Sequence, residues 1–95
     1  MSERQHYIDK IQARLDQWNA EIEKLQAKSK EAEADSKIEH QKQIETLRER
    51  RDAAEQKIGE VRNASDDAWQ DAKAGLDKAV DDLSSAFDKA KSRFQ

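Results

Sequence analysis

Large apolar residues recur near the start of the chain at Ile8, Ile11, Leu15, Trp18, Ile22 and Leu25. The steps between them alternate between three and four, a heptad seam that predicts an α-helix. On a straight helix such a seam drifts by about 20° per heptad, so a partner must wind around it left-handedly. Ser2 and Gln5 fit an S-x-x-Q capping box, which starts the helix near residue 3. Past Leu25 the seam runs through Ser29, Ala32 and Ser36, which are small and bury little. Large apolar residues resume at Ile38, Ile44 and Leu47 and continue through Ala54, Ile58 and Val61. Consecutive steps of four, from Ser36 to His40 to Ile44, reconcile the two registers and amount to a stutter. Arg51 falls on the second seam, where its stem can lie along the stripe with the charge outward.

The stretch "RNASDDAW", residues 62–69, changes the pattern. Asn63, Ser65, Asp66 and Asp67 disfavour a helix interior and favour turns and caps. Acids there suit the positive end of a new helix dipole. Beyond this joint come Trp69, Ala72, Leu76, Val80, Leu83, Phe87, Ala90 and Phe94. At helical spacing they share an arc of about 80°, a straight stripe that does not drift.

These stripes predict an all-α fold in a single helical unit over 1–95. Residues 1–62 form a coiled-coil segment, 63–67 a joint and 68–95 an amphipathic helix. The preferred architecture is an elongated hairpin, with a long helix over about 3–62 and a shorter one over about 66–94. Those helices would measure about 90 Å and about 44 Å. The shorter one folds back, so that Trp69, Leu76, Val80, Leu83, Phe87 and Phe94 meet Ile44, Leu47, Ile58 and Val61 within the chain. Ile8, Ile11, Leu15, Trp18, Ile22 and Leu25 are then left as an intermolecular face. Exposed apolar surface costs about 25 cal/mol per Å², and the simplest cover is a second chain. The alternative is a three-helix bundle with an extra turn near 33–36, where Ser36 and Glu39 fit another capping box. Such a bundle covers every stripe internally.

Composition supports thin helices over a thick core. Charged residues make up 41% of the chain and hydrophobic ones 35%, against about 25% and about 45–50% in an average globule. Proline is absent and glycine occurs only at 59 and 75. The net charge of -3 gives no general attraction to nucleic acid or to an anionic membrane. There is no cysteine, which excludes disulfides and thiol chemistry. The N-terminal "MSERQHYIDK" lacks the apolar core of a secretion signal, and the expected location is the cytoplasm.

Candidate chemistry is sparse. Glu3 and His6 form a single E-x-x-H, whereas a di-iron bundle needs two such pairs and two further Glu. His40 lies on a thinly packed seam; its protonation could loosen a helix contact at mildly acidic pH, or the ring simply tilts into solvent. "NAS" at 63–65 matches the glycosylation sequon but reads as loop chemistry. No catalytic, cofactor or metal residue is assigned.

The runs "RLDQWNAEIEKLQAK", "QKQIETLRERRDAAEQKI" and "ASDDAWQDAKAGLDKAVDDLSSAF" together resemble small soluble bacterial coiled-coil proteins without assigned activity. Residues 66–94 also resemble the amphipathic repeats of apolipoproteins and late-embryogenesis proteins. The first resemblance implies a helical interaction protein and supplies no functional residues. The expected function is therefore structural and non-enzymatic. It acts through helix packing, by forming a homodimer or by binding another helical protein. The alternative is reversible lipid-surface or stress-related binding by the C-terminal helix, with Trp69, Phe87 and Phe94 entering the headgroup boundary.

Overall fold

The computed structural model describes residues 3–94 and is all-α. Three helices follow one another: α1 (Glu3–Glu31), α2 (Ala34–Asn63) and α3 (Trp69–Arg93). Ser2, one half of the first capping box, lies outside the described residues. Arg51 of α2 reaches Asn19 of α1, and Arg93 of α3 reaches Glu39 of α2. Tyr7 and Trp18 of α1 meet Asp77 and Phe87 of α3 in the same chain order. The helices thus run up, down and up, in a bundle of 51 × 19 × 17 Å.

The continuous helix over 3–62 does not form, and the extra turn does. The long axis of 51 Å has no room for a rod of about 90 Å. The break occupies Ala32 and Glu33, slightly before the predicted 33–36. The Ala32 amide donates to the Ser29 carbonyl at 3.2 Å, and Glu33 takes an extended conformation with φ −66° and ψ 156°. Any L-residue adopts those angles, so neither Gly nor Pro is needed. Glu33 is the N-cap but its side chain makes no capping hydrogen bond; Ser36, the expected cap, lies inside α2.

Helix propensity favoured continuity through "EAEA", but only by tenths of a kcal/mol per residue, about 0.7 at most. Burying a large apolar side chain contributes about 1.5–3 kcal/mol. A two-residue turn lets the whole α1 stripe find cover within its own chain. It also avoids the loss of translational and rotational freedom, about 4–15 kcal/mol, that a second chain would bring.

The second joint falls within one residue of the expected 63–67, at 64–68. α2 ends at Asn63 and α3 begins at Trp69. Between them the Ser65 carbonyl accepts from the amides of Ala68 and Trp69, both at 3.0 Å. This turn winds directly into α3, with Asp66 and Asp67 beside its start.

Gly59 and Gly75 lie inside α2 and α3, with no positive φ. A Cβ on Gly59 would meet nothing within 4 Å, and one on Gly75 only the Lys57 side chain at 3.9 Å. Gly59→Ala and Gly75→Ala should each stabilise the bundle by about 1 kcal/mol, because alanine loses less backbone freedom in a helix. Thermal melts followed by circular dichroism check this; a lower midpoint for Gly59→Ala would contradict the open space beside it.

Candidate interaction surface

The α1 stripe assigned from sequence to a partner chain is covered inside the bundle. Ile8, Ile11, Leu15, Ile22 and Leu25 are buried, and Trp18 packs half-buried against the same core. The expected intermolecular face is therefore corrected to an intramolecular one. Its cause is the turn at 32–33, which places α2 and α3 over it. Ile44, Leu47, Ile58, Val61, Leu76, Val80, Leu83 and Phe87 are buried in that core, with Trp69 and Phe94 half-buried against it. Ile38, which follows the turn closely, is 61% exposed.

Aromatic and polar contacts tie α1 to α3. Trp18 stacks on Phe87 with ring centres 5.7 Å apart, and the Arg14 guanidinium lies 4.7 Å from the Trp18 ring centre. The Tyr7 hydroxyl donates to the Asp77 carboxylate, while the Lys73 ammonium sits 5.0 Å from the Tyr7 ring centre. Burial, and then the hydrogen bond to Asp77 and its negative charge, hold the Tyr7 hydroxyl well above the usual phenol range. Ionising Tyr7 thus costs more in the folded chain than in the unfolded one. The stability this contributes is fully present below about pH 10 and falls as the pH rises beyond it. Tyr7→Phe should remove that share of the alkaline slope. Denaturant melts of both proteins across the alkaline range check this; parallel slopes would exclude the contribution.

At the other end of the bundle, His40 stacks on Phe94 with ring centres 3.9 Å apart. Its Nδ1 is buried, with no hydrogen-bond partner among the described residues. The Arg93–Glu39 ion pair, at 3.6 Å, lies alongside. His40 therefore packs between helices instead of tilting away. Glu3 and His6 are exposed, and no group of three or more metal-ligating side chains occurs among the described residues.

The outer side of the α1–α2 pair is polar. Arg51 donates to Asn19 at 3.1 Å and to Asp52 at 2.9 and 3.1 Å. Arg48 donates to Gln26. Toward the 32–33 turn these helices part to form an open groove of about 360 Å³. Gln26, Ser29 and Lys30 line it from α1; Lys37, Gln41, Ile44, Glu45 and Arg48 line it from α2. A smaller groove between α2 and α3, of about 270 Å³, mixes Arg50 and Lys89 with Asp82.

No family model, curated protein or solved structure matches this chain.

Sequence reasoning missed Arg4, Tyr7 and the groove cations. Arg4 precedes Ile8 by four positions, and Tyr7 precedes Ile11 by four. Both prolong an inward-facing row by one turn, a signal hidden by their polarity. The groove cations carry no such signal, because they converge only after the chain turns.

Proposed function

We propose that this chain is a non-catalytic helical module that binds another protein through its outer faces. The observation that supports this most directly is the burial of the α1 stripe. A rod with that stripe open would associate by covering it. In the bundle the stripe is spent on folding, so recognition falls to polar helix faces and the grooves between them. Peripheral charges then set partner and orientation. The cytoplasm is the setting that goes with this proposal.

Photo-crosslinking residues placed singly around the bundle test the idea in the source cells. The expected result is a discrete adduct from positions confined to one face. An absence of adducts from every face would overturn the proposal. Sedimentation of the purified chain should give a monomer near 11.0 kDa. Lipid binding would require Trp69, Phe87 and Phe94 to leave the core, and no helix among the described residues is long and apolar enough to cross a membrane. Flotation with neutral and anionic vesicles should leave the protein in the unbound fraction.

A further inference from the structure

The α1–α2 groove carries an excess of cations in an acidic chain. Lys30, Lys37 and Arg48 line it, with Glu45 as the only acid. The chain as a whole is acidic, at -3. None of these three cations has an ion-pair partner among the described residues, although surface carboxylates are plentiful. Arg48 is half-buried and its guanidinium is held by the neutral amide of Gln26. That contact orients the planar fork without neutralising it. A guanidinium so placed suits a carboxylate, which it can engage through two parallel hydrogen bonds. Ile44, 5% exposed, is the one large apolar residue of the lining.

We infer that this groove is a binding site for an acidic peptide segment of a partner protein. The inference rests on reading the chain as an interaction module and gives that module a face and a chemistry. Its occupant lays one carboxylate on Arg48 and a second between Lys30 and Lys37, with the peptide stem over Ile44. The groove is open and lies between two helices, so it admits a chain segment. Charge complementarity selects an acidic one. The α2–α3 groove has a smaller cation excess, Arg50 and Lys89 against Asp82.

The test uses the ¹⁵N-labelled full chain titrated at low salt with capped tetraglutamate, capped tetralysine and inorganic phosphate. Tetraglutamate should shift amides saturably within 26–30 and 37–48, and tetralysine should not. Arg48→Gln should weaken tetraglutamate about tenfold, as expected for losing a charge-assisted hydrogen bond. Glu45→Gln, at an exposed position, should strengthen it. Helicity by circular dichroism should be unchanged in both variants. Three outcomes would overturn the inference: shifts scattered over basic side chains elsewhere, equal affinity in Arg48→Gln and Glu45→Gln, or phosphate binding as tightly as tetraglutamate. The last would make the groove a small-anion site. Discrete crosslinks from a different face, combined with no tetraglutamate binding, would remove this site while leaving the module itself standing.

Discussion

Replacing Leu15 with Asp should unfold the chain outright. Leu15 is 0% exposed and sits mid-stripe on α1, between Ile11 and Ile22 in the shared core. A carboxylate there has no partner and no water, a penalty of several kcal/mol in a protein whose whole stability is about 5–15 kcal/mol. The milder Leu15→Ala should cost about 2–5 kcal/mol, from lost transfer energy and the cavity left behind. Far-UV circular dichroism and sedimentation read both results. The rod-like alternative predicts something different. There Leu15 faces a second chain, so Leu15→Asp would turn a native dimer into a helical monomer. A folded, helical Leu15→Asp monomer would therefore sink the three-helix arrangement.

The second large effect belongs to Arg4, in the first turn of α1. Its guanidinium lies 2.7 Å from the Ala64 carbonyl, with the Val61 and Arg62 carbonyls at 3.4 and 3.5 Å. These oxygens sit at the end of α2, where a helix leaves its last carbonyls without internal partners. The same group pairs with Asp66 at 2.8 Å and lies 5.7 Å from the Trp69 ring centre. Arg4 thus joins the start of α1, the end of α2 and the start of α3. Its side chain is 18% exposed, whereas that of Asp66 projects fully into water. The carbonyl contacts, more than the ion pair, should carry the stabilisation. Arg4→Ala should cost about 2 kcal/mol, as for hydrogen bonds from a charged donor. Arg4→Lys should recover only part of this, because an ammonium cannot span the same acceptors. Asp66→Ala should leave stability nearly unchanged. Urea melts of the three variants check the ranking; an Asp66→Ala loss equal to that of Arg4→Ala would shift the credit to the ion pair.

Much of the bundle is legible along the chain because helical spacing is a local property. Ile8 to Leu25, Ile44 to Val61 and Leu76 to Phe87 each mark an inward face by the spacing of their own residues. The joint at "RNASDDAW" is equally local, since Asn63, Ser65, Asp66 and Asp67 disfavour helix continuation through their own side chains. The turn at Ala32–Glu33 is different. Its residues are good or neutral helix formers, and the decision came from what the turn allows to be buried. Ser29 and Ala32 mark the place only in being small, so continuing the seam there offered little apolar burial. The groove cations show the same limit: Lys30 and Arg48 are far apart in sequence and become neighbours only across the turn.

Composition and periodicity alone therefore determined that the chain is helical, that each helix has one apolar stripe, and that a break falls within "RNASDDAW". Only the tertiary structure decided that there are three helices, that the first stripe is covered from within, and that Arg4 and the groove cations are brought to the junctions between helices. The reason is one of range. Propensity and spacing act over a few residues at tenths of a kcal/mol each. Covering a stripe is worth several kcal/mol, and depends on which distant segment can reach it.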